Sequence, residues 1–105
     1  MKEKSVTELK EMIDNGVDFQ LIDVREPHEF DICNLKGELI PMNEIPENID
    51  KIAKDKAVII HCRSGARSGR IIQYLEQEYG YTNLFNLEGG ILAWAHEIDP
   101  GMPKY

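Results

Sequence analysis

Val58-Ile59-Ile60-His61-Cys62-Arg63-Ser64-Gly65-Ala66-Arg67-Ser68 is the stretch from which the rest of the chain is read. Three β-branched apolar residues favour a strand, and a cysteine stands just past its end. A polar turn with one glycine and two arginines follows. Beyond it Ile71, Ile72, Leu75 and Tyr79 form a helical stripe stopped by Gly80. Strand, tight loop and helix start together aim backbone N–H groups at an anion.

That setting bears on the ionisation of Cys62. A thiol of ordinary pKa, about 8.5, is only about 3% ionised at pH 7, and the thiolate is the nucleophile. An arginine about 5 Å away, at an effective dielectric of about 20, favours the anion by roughly 3 kcal/mol, or about two pK units. A helix terminus adds about 0.3–1 kcal/mol. The sequence therefore predicts a largely ionised Cys62 with the arginines as the larger cause. Residues 63–68 are the expected anion-binding loop. Gly65 permits a positive φ, while Ser64 and Ala66 are small enough to leave the pocket open. Arg67 is expected to face inward, Arg63 to sit at the rim and steer anionic donors, and Ser68 to cap the helix. The competing reading is a buried, inert cysteine; Arg-Ser-Gly-Ala-Arg-Ser is ill suited to burial.

The 105 residues, 42% of them apolar, can bury one core without a metal or disulfides, so a single domain over 1–105 is expected. The net charge of −7 disfavours nucleic acid and anionic lipid as partners. Screened over a Debye length of about 8 Å, such distant charges do not outweigh local arginines. Cys33 and Cys62 make no metal-ligand pattern, and His28, His61 and His96 are scattered, so neither metal nor cofactor is expected. No apolar leader or membrane-length run is present, which predicts a soluble, cytoplasmic chain.

Ser5-Val6-Thr7-Glu8 reads as a capping box opening a helix with Val6, Leu9, Met12 and Ile13 on one face, stopped at Asn15-Gly16. Val17 to Val24 reads as a buried strand ending at Asp23-Val24-Arg25, and Pro27 starts a short helix. Leu39-Ile40 is a very short strand, and Asn43 is expected to cap a helix that buries Ile45, Ile49 and Ile52. Leu84–Leu87 is a strand, Glu88-Gly89-Gly90 a turn, and Ile91 to Ile98 a last helix. The alternation argues for an α/β fold, three layers with a mostly parallel sheet of about five strands. Ligands in such sheets bind beyond the carboxyl ends of the strands, where Cys62 and the Asp23–Arg25 pair fall.

Cys62-Arg63-Ser64-Gly65-Ala66-Arg67-Ser68 resembles the active-site loop of rhodanese-type sulfurtransferases. Leu21 to Glu26 and Asn86 to Trp94 are similar to the family's first and last signatures. The variant most similar is the rhodanese domain of molybdopterin-synthase adenylyltransferase-like proteins, on Ile32 to Gly37, Leu39 to Met42 and Trp94 to Tyr105; here a single stand-alone domain is expected. One departure is Cys33-Asn34-Leu35 where many rhodaneses carry Gly-His-Ile.

The resemblance implies sulfur transfer through a Cys62 persulfide. Thiosulfate or a persulfide would be the donor, and a thiol, cyanide or a sulfur-carrier protein the acceptor, with no dissociable cofactor. Asp23 and Arg25 read as a structural pair holding the site edge. His61 reads as a strand-end side chain rather than a base, and Trp94 and Tyr105 as core and tail packing. A resolving role for Cys33 is the minor reading. Two rival functions stand beside this one. A cysteine-dependent phosphatase or arsenate reductase would need five residues between cysteine and arginine, where only residues 63–66 separate Cys62 from Arg67. A non-catalytic module on the same fold would not need Cys62 or Arg67.

Overall fold

In the computed structural model, which describes residues 1–105, the strands form one parallel sheet. They are β1 (Glu3–Lys4), β2 (Gln20–Asp23), β3 (Glu38–Leu39), β4 (Val58–His61) and β5 (Leu84–Leu87), in the spatial order β1-β5-β4-β2-β3. The helices are α1 (Val6–Asp14), α2 (Pro27–Ile32), α3 (Ala66–Tyr79) and α4 (Gly90–Glu97). β4 lies between β2 and β5, and all four of its residues are buried, as expected of a strand covered on both faces.

The alternation of side chains along the strands divides the core. Val58 and Ile60 pack with Ile22 and Leu84 against Ile71, Ile72 and Leu75 of α3. Ile59 and Leu87 pack on the other face against Val6 and Leu9 of α1 and Trp94 of α4. This is the three-layer arrangement, with α2 at the rim where the carboxyl ends of the strands gather. No helix is long and apolar enough to cross a membrane.

The capping box of α1 forms as its residues predict: Ser5 Oγ accepts from Glu8 N–H at 3.1 Å, and Glu8 Oε1 from Ser5 N–H at 2.8 Å. Three details differ. β1 is an edge strand where no element is expected, and β2 begins only at Gln20. Residues 43–52 form no α-helix but two 3-10 turns, Met42–Glu47 and Ile49–Lys51, and Asn43 caps neither.

Side chains from outside this segment hold it. Gln20 donates to Lys51 O at 2.7 Å and accepts from Ala53 N–H at 2.8 Å, and Tyr81 Oη donates to Ile52 O at 3.0 Å. With backbone groups satisfied this way and Pro46 inside the turn, a continuous helical ladder does not form. Ile45 and Ile52 are buried all the same.

The segment after β4 is braced by α4. The first N–H groups of a helix have no partner within it. Here Ile91 N–H donates to Cys62 O and Leu92 N–H to Arg63 O, each at 3.1 Å. Gly90 makes this close approach possible: its φ is +60°, and a Cβ there would lie 2.4 Å from Arg63 O and 2.8 Å from Cys62 O. Gly90→Ala should therefore lower unfolding stability by about 2–4 kcal/mol, from left-handed strain together with backbone displacement. Urea denaturation checks this; a change under about 0.5 kcal/mol, the range of ordinary surface substitutions, would mean the seam is not tight.

Candidate active site

Register places Asp23 beside His61, so the ends of β2 and β4 stand together, and Cys62 follows directly. Cys62 is 1% exposed. Its Sγ accepts the Gly65 N–H at 3.1 Å and lies 3.4 Å from Ser68 Oγ. Gly65 takes a φ of +107°, which turns its N–H back toward the sulfur. Ser68 does not cap α3, since Gly65 holds that position; it lies in the first turn, pointing at Cys62.

Burial pushes the Cys62 thiol up. Hydrogen bonds from the Ser68 hydroxyl and from the N–H groups of Ser68, Gly65 and Ser64 pull harder, and the net direction is down from the ordinary thiol value. The arginines are not the larger cause, contrary to the expectation from residue types. Arg67 is engaged elsewhere: Nη1 and Nη2 donate to Glu29 Oε2 and Oε1 at 2.8 and 2.9 Å, a bidentate pair. Glu29 is the main reason that guanidinium stays charged, and Cys62 makes a smaller contribution. Arg63 pairs with no carboxylate; its guanidinium carbon lies 5.0 Å from the centroid of the Tyr105 ring, and its buried Nε has no partner.

Arg25 is fully buried, and all five of its N–H groups are used. Nε and Nη2 donate to the Asp23 carboxylate, with Nη2 to Oδ2 at 2.7 Å; Nη2 also donates to Cys33 O at 2.7 Å. Nη1 donates to Tyr105 Oη at 2.8 Å and, at 3.3 Å, to Glu29 O. Burial works against this charge, and the bonds to Asp23 and Tyr105 overcome it.

Tyr105 in turn donates to Glu29 Oε1 at 2.9 Å. The structure thus joins Asp23, Arg25, Tyr105, Glu29 and Arg67 in one chain of hydrogen bonds. His61 is buried beneath the loop, and burial holds it below the usual imidazole range, hence neutral at pH 7; its Nε2 is 3.7 Å from Asp23 Oδ2. Cys33 is buried at the end of α2, and both cysteines are free.

Sequence reasoning passed over Glu29 and Asn86, and gave Tyr105 a packing role only. Glu29 carries one local signal, its place three residues after Glu26 in a capping box. Asn86 accepts from Ser68 Oγ at 2.6 Å and donates to Gly65 O at 3.0 Å, contacts no spacing announces. A cleft of about 370 Å³ opens one helical turn beyond Arg67, between α3 and the first 3-10 turn, with Arg70, Ile71 and Tyr74 on its wall.

A buried cysteine at the carboxyl edge of a parallel sheet, its sulfur accepting an N–H from the loop that opens the next helix, defines an α/β domain with a cysteine-centred loop. Residues 5–97 match the family described as Rhodanese-like domain, and the chain belongs to that family.

It is 36% identical over 101 residues to the probable adenylyltransferase/sulfurtransferase MoeZ of Mycobacterium tuberculosis, covering 93% of this chain and 26% of that protein. The chain thus spans about a quarter of that relative's length. It is 41% identical over 96 residues to a sulfurtransferase of Allochromatium vinosum, covering 90% of this chain and 86% of that one. Among solved structures, a rhodanese-like domain protein from Staphylococcus aureus superposes with a TM-score of 0.82 at 32% identity, over 100% and 99% of the two chains.

The Glu29–Arg67 pair has a pH signature. Arg67 above all, with the Glu26 N–H and the Tyr105 hydroxyl, holds the Glu29 carboxyl at about 2, against an ordinary 4.5, although burial opposes this. A carboxyl depressed by folding contributes stability in full above its unfolded pKa and loses it as pH falls through the folded one. Glu29→Gln should remove about 1–2 kcal/mol at pH 7, a figure discounted for the water that reaches Arg67. It should also flatten the loss of stability between pH 4.5 and 2. Melting temperature against pH for both proteins checks this; parallel curves would refute it.

Proposed function

We propose that this chain is a sulfurtransferase in which Cys62 carries a sulfane sulfur as a persulfide, taking it from thiosulfate or a persulfide donor. The acceptor is a thiol, cyanide or a sulfur-carrier protein. The observation that carries the reading is Cys62, a residue 1% exposed whose sulfur accepts a backbone N–H at 3.1 Å.

In the first step the Cys62 thiolate attacks the outer sulfur of the donor. A bond forms between Sγ and that sulfur, the donor's sulfur–sulfur bond breaks, and its electron pair leaves with sulfite when the donor is thiosulfate. Negative charge passes to the outer sulfur of the persulfide. An acceptor nucleophile then attacks that sulfur and releases the Cys62 thiolate. Two displacements of this kind give ping-pong kinetics. The loop N–H groups are fixed by the fold, so they stabilise the migrating charge without reorganising. The sulfur travels on Cys62 itself, so no dissociable cofactor is required.

Access supports a donor with a terminal sulfur. A nucleophile this enclosed is reached by one protruding atom more readily than by a tetrahedral phosphoryl group. The four-residue interval between Cys62 and Arg67 supports the same choice. Arg63, free of any carboxylate, is suited to drawing in anionic donors, while Arg67 is occupied with Glu29. The relatives named as sulfurtransferases favour this chemistry, and likeness to an adenylyltransferase/sulfurtransferase is the support for a carrier-protein acceptor. Two free cysteines suit a reducing compartment such as the cytoplasm.

Thiosulfate should leave Cys62 heavier by one sulfur atom in intact-mass spectra, and cyanide or dithiothreitol should remove it. Cys62→Ser should abolish transfer without unfolding, and Cys33→Ser should retain most of it. Absence of the adduct under excess thiosulfate and persulfide donors would overturn the function, and the reverse behaviour of the two variants would overturn the nucleophile. Arg63→Ala should raise the apparent KM for thiosulfate several-fold and flatten its salt dependence, with kcat little changed. Steady-state kinetics at several ionic strengths reads this out, and an unchanged salt slope would remove Arg63 from donor capture.

A further inference from the structure

Asn86 lies on β5, beside the strand that ends at the nucleophile, and is 6% exposed. Its Nδ2 donates to Gly65 O at 3.0 Å, which fixes the sense of the amide. A flipped amide would set its oxygen against the Gly65 carbonyl, two acceptors face to face. Oδ1 therefore faces Ser68 Oγ, 2.6 Å away. The same Ser68 oxygen lies 3.4 Å from Cys62 Sγ, and Ser68 is fully buried, so solvent supplies no second donor.

A hydroxyl has one proton to give. While Cys62 is a thiol, its S–H donates to Ser68 Oγ, and the Ser68 proton goes to Asn86 Oδ1. Once Cys62 ionises, the sulfur has no proton and calls for a donor. The Ser68 hydroxyl can turn to it only by leaving Asn86 Oδ1 without a partner.

We propose that Asn86 is a positioning residue that competes with Cys62 for the single Ser68 hydroxyl proton, so that this donor follows the charge on the nucleophilic sulfur. The inference rests on the reading of Cys62 as nucleophile and adds a consequence for its loading. The unloaded thiolate is held less firmly than an uncontested Ser68 would hold it. When Cys62 carries sulfur, the charge sits on the outer atom, Sγ no longer needs the hydroxyl, and the proton returns to Asn86. Asn86 thereby favours the loaded form over the free thiolate.

The test reads ionisation rather than turnover, so it fails or succeeds independently of sulfur transfer. The rate of iodoacetamide alkylation of Cys62 is followed against pH in a Cys33→Ser background. Ser68→Ala should raise the Cys62 pKa by about one unit, a tenfold loss of thiolate below the pKa, and Ser68→Thr should restore it. Asn86→Ala should lower the pKa by about half a unit to one unit, because Ser68 is then uncontested. In the Ser68→Ala background the same Asn86→Ala change should have no effect.

A purely structural role through the Gly65 carbonyl predicts the opposite: a raised pKa, equal in both backgrounds. That result, or no shift at all, overturns the proposal. Should the Asn86 variant not fold, the wild type supplies the answer by NMR. The Asn86 side-chain 13Cγ resonance should titrate with the Cys62 midpoint and cease to do so in Ser68→Ala. A flat response in the wild type, or one unchanged by Ser68→Ala, overturns the proposal equally.

Discussion

A guanidinium taken wholly out of water must find partners for all five of its N–H groups, and Arg25 meets that requirement. Its partners come from separate parts of the chain: Asp23 at the end of β2, the carbonyls of Glu29 and Cys33 around α2, and the hydroxyl of Tyr105. Each contact constrains the others, since a displacement of any one strands a buried charge. The edge of the sheet on which Cys62 stands is therefore defined by a single side chain. Through Tyr105 and Glu29 the same constraint reaches Arg67, in the first turn of the helix that follows Cys62. A lysine could not replace it, having three donors and no planar fork.

This arrangement explains how the arginines divide. Asp23 and Arg25 offset one another, as do Glu29 and Arg67, and His61 is neutral. Arg63 is the loop cation without a carboxylate partner. On a chain of net charge −7 that uncompensated positive charge stands out, one residue from Cys62 and over the Tyr105 ring. The sulfur itself is served by short-range dipoles. N–H groups aimed at it are effective because burial, which penalises the thiolate, also strengthens each hydrogen bond to it.

The fold was largely legible because its strongest signals are periodic. The apolar run of β4, the stripe of α3 and the capping box of α1 each announce an element from neighbouring residues. Asp23 and Arg25, two apart, were also within reach of local reading. Asn86 and Tyr105 were not, nor was the Glu29–Arg67 pair, because these contacts span 18 to 80 residues and follow from packing that no spacing reports. The ionisation of Cys62 was anticipated in direction but assigned to the wrong cause. Residue types reveal the presence of arginines, whereas the partner that occupies Arg67 comes from a different helix. The 3-10 segment was misread for a related reason: Gln20 and Tyr81, which replace its helical bonds, lie well outside it. β1 has too few residues to show any period.

The place of β1 in the sheet bears on how the chain acquires its shape. Every strand pairing is parallel, so none can form as a local hairpin, and β1 pairs with a strand more than eighty residues later. Loop closure over that span contributes its entropic cost before only two residues of pairing return anything. The pairings of β2, β4 and β5 close shorter spans and bury more residues, so they depend less on β1 than β1 depends on them. Without β1 the outer edge of β5 would be open, and an open edge invites another chain. The segment that closes it carries Lys2 and Lys4, whose ammonium groups lie 4.7 and 4.8 Å from the centroid of the Phe85 ring. Once paired, β1 replaces the bare edge of β5 with a two-residue edge flanked by lysines, and a short, charged edge discourages pairing with another chain.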